Sequence, residues 1–150
     1  MLPEGATKEL GSLLRGIHHV AIATVSLAEA RKNYEAALGM RALPVEFVPD
    51  QKVNVLVLFT GGQRVELVEP VGEDSPVTNF LKKRGPGIHH IAWRVEDLVL
   101  AIAKVKAGGL QMIHDAPRPG SHGTKIAFIH PKSTGGVLME LVEDPNWSVH

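Results

Sequence analysis

No cysteine occurs among the 150 residues. That absence excludes disulfides, a thiolate nucleophile and any sulfur-ligated metal. Excess charge is missing too, since 16 lysines and arginines stand against 16 aspartates and glutamates. No global field therefore draws the chain to nucleic acid or to an anionic membrane. No apolar run reaches bilayer length, and the N-terminus, MLPEGATKELGSLLRG, has neither an apolar signal core nor an arginine-rich, acid-free character. The expectation is a soluble cytoplasmic protein with no nucleic-acid partner and no membrane partner. A chain of this length fits one domain that buries its core without staples.

What the chain does have is a repeat. Ile17-His18-His19-Val20 returns as Ile88-His89-His90-Ile91, and Val65-Glu66-Leu67-Val68 returns, at nearly the same offset, as Met139-Glu140-Leu141-Val142. Two matched pairs at similar spacing imply an internal duplication whose halves differ by a few loop residues. Two histidines and two glutamates can then converge about a pseudo-twofold axis on one shared site.

The periodicities give both halves the same order. Residues 17–25 alternate as a half-buried strand. Ser26-Leu27-Ala28-Glu29 forms a capping box for a helix whose apolar stripe, Leu27, Ala30, Tyr34 and Leu38, ends at Gly39. Strands are expected over 41–48, 53–60 and 64–69, the last two joined by a Gly61-Gly62 hairpin. In the connector 71–86, Asp74 or Ser75 caps a short helix through Phe80 and Leu81, and Gly85-Pro86-Gly87 breaks it. The second half repeats with a strand over 87–95, Asp97 capping a helix with Leu98, Ala101, Ile102 and Val105 on its buried face, and strands over 110–115, 125–130 and 137–142. The irregular loop 116–124 is the segment expected to lie over a site. Residues 1–15, with a short helix over 8–14, form an extension, and 144–150 an irregular tail. The fold class is thus α+β, a single domain over 16–143 made of βαβββ modules at about 16–70 and 87–143.

Alternation lets only one histidine of each doublet face a given side. His19 shares its face with Ala21 and Ala23, and His90 with Ala92 and Arg94; the other faces carry Val20, Ile22, Ile91, Trp93 and Val95. Bulky faces pack under helices, which assigns His19 and His90, with Glu66 and Glu140, to the roomier side. His18 and His89 are left at the strand edge or behind the ligands. Two imidazoles and two carboxylates without sulfur suit a divalent ion such as Co, Mn, Ni or Zn. In octahedral geometry two positions stay open for a bidentate substrate. The alternative is that the glutamates are edge-strand charges facing solvent.

The segments HHVAIA at 18–23, PDQKV at 49–53, EDSPVTNFLKKRGPGIHHIAWRV at 73–95 and FIHPKSTGGVLMEL at 128–141 resemble the vicinal oxygen chelate superfamily, and within it the methylmalonyl-CoA epimerases. The resemblance spans about residues 16–143. It implies paired βαβββ modules in a cupped mixed sheet around one metal held by His19, His90, Glu140 and Glu66, the last being glutamine in some epimerases. The implied reaction interconverts (R)- and (S)-methylmalonyl-CoA by moving the α-proton through a stabilised enolate. Glu140 is the first candidate base. A second-strand glutamate assigned to the opposite face in some relatives reads Val55 here, which leaves Glu66 for that role. An acyl-CoA substrate makes Lys82, Lys83, Arg84, Arg118, Lys125 and Lys132 phosphate candidates, and loop position puts Gln51, His122 and Gly123 near the acyl end. A homodimer is likewise implied. The competing functions are glyoxalase I, which uses the same ligand set on a glutathione hemithioacetal, and a non-catalytic small-molecule-binding module on the same scaffold.

Overall fold

The computed structural model describes residues 13–147. The helix expected over 8–14 lies almost wholly outside them, as do most of the 1–15 extension and residues 148–150 of the tail. The chain runs β1 (Ile17–Ala23), α1 (Leu27–Arg31), a π-helical continuation (Lys32–Ala37), β2 (Arg41–Ala42), β3 (Glu46–Val48), β4 (Val53–Thr60), β5 (Gln63–Pro70), α2 (Pro76–Arg84), β6 (Gly87–Arg94), α3 (Leu98–Ala107), β7 (Arg118–Pro119), β8 (Lys125–Ile129) and β9 (Met139–Glu143). Short 3₁₀ turns occupy Ser121–Gly123 and Pro131–Thr134. The class is α+β, as expected, with the strands in a mixed sheet. Among the described residues, no helix is long and apolar enough to cross a membrane.

The described residues fall into two compact units. One comprises His19–His90 with Gly120–His122, and the other holds the remainder. The boundaries cut through both histidine doublets. In the first unit the strand order is β2-β4-β5-β1, with β3 also on β4; β1 runs parallel to β5 and the other pairs are antiparallel. β4 carries a nearly unbroken apolar run, so it is buried on both faces. Its hairpin to β5 turns at Gly61 and Gly62, both at positive φ (53° and 79°), the conformation a two-residue turn needs and side chains with a Cβ resist.

On one face of this unit Leu56, Leu58, Leu67 and Ile22 cluster with Leu27, Ala30 and Tyr34 of α1 and its continuation, as the bulky-face argument expects. The other face is less open than expected. Ala23, Val55, Val57 and Val68 cluster there with Val77, Phe80 and Leu81 of α2, so the connector helix fills much of the supposed free side. Ser75, not Asp74, caps α2: its Oγ accepts the Val77 N–H at 3.3 Å, and Pro76 takes the first helical position.

Two expectations in this half need correction. Leu38 does not complete the stripe. Its N–H bonds back five residues to Asn33 O (2.9 Å), the widened π turn rotates it outward to 66% exposure, and Met40 joins the cluster instead. The strand expected over 41–48 is split into β2 and β3, because Pro44 in the intervening Leu43-Pro44-Val45 has no N–H for a ladder.

The second unit holds the order β6-β9-β8-β7, with β6 parallel to β9. Asp97 caps α3 through the Leu100 N–H (3.1 Å), and Leu98, Ala101, Ile102 and Val105 form its buried stripe as expected, clustering with Ala127, Ile129 and Leu141. The strand expected over 110–115 reduces to one bridge, Met112 with Ile129. There the His114 Nδ1 accepts the Phe128 N–H (3.2 Å), so a side chain occupies a ladder position. Loop 116–124 is correspondingly more ordered than expected, since Arg118–Pro119 pair with β8 as β7.

Candidate metal centre and active site

The repeat acquires its meaning from register. In the first unit Ala21 lies beside Glu66, which lies beside Val57. In the second, Ala92 lies beside Glu140, which lies beside Phe128. Registered neighbours share a sheet face, and His19 and His90 stand two residues before those alanines on the same strands, hence on the same faces. Each half therefore offers the same local device: a small alanine, a cross-strand glutamate and a histidine one pleat away.

Three of the four expected ligands come together within the first unit. His19 Nε2 is 3.2 Å from His90 Nε2, and His19 Nδ1 is 3.2 Å from Glu66 Oε2. All are buried, at 3% exposure for His19 and 5% for His90 and Glu66. The Glu66 contact lacks hydrogen-bond geometry, and its Oε2 accepts no hydrogen bond at all. A buried carboxylate oxygen without a donor is costly, and a cation is the natural compensation. Imidazole nitrogens, a carboxylate and no sulfur make a donor set fitting a borderline divalent ion. Glu140, the fourth expected ligand, is buried on β9 in the second unit.

The first histidines of the doublets have diverged. His89 Nδ1 lies 2.8 Å from His90 Nδ1, and its ring meets Phe80 edge-on at 4.9 Å, so it braces a candidate ligand from behind. His18 is not a strand-edge residue. It is fully buried, its Nε2 lies 2.8 Å from Asp144 Oδ2, and its ring packs on Trp147 at 5.3 Å, all within the second unit.

The remaining candidates are more scattered. Gln51 sits half-buried in the turn before β4, its N–H on Val48 O at 3.2 Å. His122 lies in the first unit at φ +52°, and its N–H donates to Glu46 Oε2 at 2.6 Å. Gly123, Lys125 and Lys132 belong to the second unit and are exposed, as is Arg118. Lys82 is engaged with Glu73 at 2.7 Å, and that bond holds the Glu73 carboxyl below its ordinary range. The Arg84 guanidinium covers Phe80 at 5.8 Å, and Lys83 is exposed.

Two structural features escaped the sequence reading. Arg64, two residues before Glu66 and therefore on its face, presents a guanidinium over Phe59 at 5.1 Å. Glu69 and Glu143 close helix ends: Glu69 accepts the Leu27 N–H (2.8 Å) and the Asn54 amide (3.1 Å), and Glu143 accepts the Leu98 N–H (3.0 Å). The signal was present, because the full repeated unit is Glu-Leu-Val-Glu, at 66–69 and 140–143. Residues three apart on a strand face opposite sides, so one glutamate lies on the candidate-site face and the other at a helix N-terminus.

Residues 18–128 match the family described as the glyoxalase/bleomycin resistance protein/dioxygenase superfamily. The chain belongs to that superfamily. It is 44% identical over 127 residues to the uncharacterised protein YqjC of Bacillus subtilis, covering 85% of this chain and 91% of that protein. The crystal structure of methylmalonyl-CoA epimerase from Mycobacterium tuberculosis superposes with a TM-score of 0.85 at 37% identity, over 95% of this chain and 92% of that one. A Streptomyces coelicolor methylmalonyl-CoA epimerase variant in complex with 2-nitronate-propionyl-CoA gives 0.84 at 34% identity, over 93% and 100%. The superfamily match meets the vicinal oxygen chelate expectation, and the solved relatives carry the epimerase name that the connector and the 128–141 segment suggested.

Proposed function

We propose that the chain is a metal-dependent epimerase that interconverts (R)- and (S)-methylmalonyl-CoA. The observation that carries this reading is the convergence of His19, His90 and a buried Glu66 oxygen with no hydrogen-bond donor, on a chain 37% identical to an epimerase. His19, Glu66, His90 and Glu140 would hold the ion, of the Co, Mn, Ni or Zn class. When bound it supplies positive charge against which thioester and carboxylate oxygens gain electron density.

The rest of the chemistry belongs to the side chains. The α-hydrogen lies next to a thioester carbonyl, and Glu140 accepts it on a carboxylate oxygen. The burial of Glu140 excludes water that would otherwise compete for the proton. Return of a proton to the same face regenerates the starting epimer, and delivery to the opposite face inverts it. Gln51, His122, Gly123, Lys125 and Lys132 are the groups we assign to the acyl-CoA substrate. On the same reading residues 16–143 act as one catalytic domain, the protein works in the cytoplasm, and it pairs as a homodimer, which light scattering of the purified chain checks.

The deciding experiment incubates the metal-loaded protein with a single epimer in deuterated water. α-Deuteration with racemisation, both abolished by chelation and restored by metal, is the expected result. Absence of exchange with metal present removes the proposal, and turnover of methylglyoxal with glutathione would transfer it to glyoxalase I.

A further inference from the structure

The first unit carries a cationic row just outside the candidate ligands. Register places Arg41 of β2 opposite Phe59 of β4, and Phe59 opposite Arg64 of β5. One pleat repeat further in, Val57 stands opposite Glu66. Registered neighbours share a face, and alternate residues of a strand return to it. Arg41, Phe59 and Arg64 therefore lie on the candidate-site face, on the side of Glu66 toward the Gly61-Gly62 hairpin. All of these residues belong to the same unit.

The row borders a cleft of about 570 Å³ lined by Arg41, Leu43 and Phe59 together with Thr60, Gly61 and Gly62 of the hairpin. No carboxylate is among its lining residues. The cleft beside Trp147 in the second unit is the contrast, since Glu96, Glu143 and Asp144 line that one. Arg41 is exposed, and its side chain meets no hydrogen-bond or ion-pair partner among the described residues. The Arg64 guanidinium lies over the Phe59 ring at 5.1 Å. Two guanidinium groups thus flank one aromatic ring in a cleft without a counter-charge, an arrangement complementary to an anion.

Distance decides which anion. Two strand spacings and one pleat repeat separate Arg41 from Glu66, about 12 Å between backbones. Gly61 lies four residues along β4 from Val57, roughly 13 Å further out. A malonyl-type acyl group held at Glu66 keeps its own carboxylate beside that buried residue, out of reach of an exposed arginine at this separation. The phosphates of the same thioester lie at the other end of a long pantetheine arm. We propose that Arg41, with Arg64 and the Phe59 ring beside it, binds the phosphate-bearing end of the CoA thioester, an inference that rests on the acyl-CoA reading above. The planar guanidinium fork of Arg41 matches a pair of phosphate oxygens, and Leu43 and Phe59 give the arm apolar surface to lie on. Gly61 and Gly62 are exposed and carry no side chain that would close the mouth of the cleft.

The test uses the full chain, metal-loaded, at low salt. CoA, dephospho-CoA and adenosine 3′,5′-bisphosphate are titrated calorimetrically, and turnover is followed with methylmalonyl-CoA and with methylmalonyl-pantetheine, which keeps the acyl group and lacks the nucleotide. Arg41→Gln should weaken CoA binding by roughly 10-fold or more. It should raise KM for methylmalonyl-CoA in proportion with little change in kcat, as loss of uniform binding requires, and leave turnover of the pantetheine ester unchanged. Arg41→Lys should recover part of the affinity, and high salt should shrink the difference between variant and unsubstituted protein. A loss shared by dephospho-CoA supports contact with the diphosphate, and a loss confined to CoA and the bisphosphate supports contact with the ribose phosphate. Unchanged CoA affinity in Arg41→Gln, or an equal loss of turnover on the pantetheine ester, overturns the assignment. CoA binding that depends on Arg41 in a protein that exchanges no α-proton supports this inference and removes the epimerase reading. Exchange on the pantetheine ester with no binding of CoA does the reverse.

Discussion

His89→Ala isolates the contribution of a residue that touches a candidate ligand and not the ion. For His90 to present an Nε2 lone pair toward His19, the proton of its neutral ring must sit on Nδ1, and that N–H must find an acceptor. His89 Nδ1, at 2.8 Å, stands where that acceptor is needed. Phe80 fixes the His89 ring from the side, so the acceptor is already oriented before any ion arrives. Removing such a brace behind a metal-ligating histidine lowers affinity by about 10–100-fold, or about 1.4–2.8 kcal/mol at 1.4 kcal/mol per decade. The assay is competition for Co or Zn against a chelator of known affinity, followed by the visible spectrum of the Co form. His89→Ala should weaken binding within that range while the denaturation midpoint of the metal-free protein changes little, because the ring is only half-buried. An affinity change below about threefold would show that His89 does not set the His90 tautomer and would refute the bracing argument.

Glu140→Gln should cut turnover by about 100-fold or more while 2-nitronate-propionyl-CoA binding changes far less, because a lost base acts on the transition state; equal losses would leave Glu140 a structural role. Glu69→Ala and Glu143→Ala should each destabilise by about 1–2 kcal/mol in urea unfolding, with Glu69→Ala the larger because the Asn54 amide loses its acceptor too. Leu67→Ala, at a fully buried position between α1 and the sheet, should cost about 2–5 kcal/mol, read from the same unfolding curves. Chelation should lower the melting temperature and added ion should raise it with concentration, as binding to the folded state alone requires; a melting temperature indifferent to the ion would argue against a site preformed on folding.

Much of this was legible in the residues because it depends on local period. The doublets, the capping positions Ser26, Ser75 and Asp97, the Gly61-Gly62 hairpin and the buried stripe of α3 all follow from spacing and residue type. What period cannot convey is a change of pitch or a contact between distant residues. The π turn that swings Leu38 outward leaves no mark in an amphipathic pattern written for 3.6 residues per turn. The replacement of a ladder bond by His114 depends on where Phe128 lands. The His18–Asp144 pair and the Glu46–His122 pair join residues 126 and 76 positions apart, and nothing in either neighbourhood announces the other. Gly-Ser-His-Gly reads as a loop, and only the structure shows that the His122 backbone N–H donates to Glu46.

The duplication accounts for the matched settings of the candidate ligands, and the proposed inversion needs more than matched groups. Each Glu-Leu-Val-Glu places one carboxylate on the candidate-site face and one at a helix N-terminus, so each half builds the same device once. A pair of equivalent groups suits coordination, where both must be unprotonated at once. Inversion asks for the opposite, one group protonated while the other is not, so on the proposed reading Glu140 has to behave differently from Glu66 despite the repeat. Departures from the repeat show where the two halves have taken on different work. His18 and His89 depart, but one is committed to Asp144 and the other braces His90. The repeat thus accounts for the paired placement of the candidate ligands, and His18 and His89 mark where the two halves have parted.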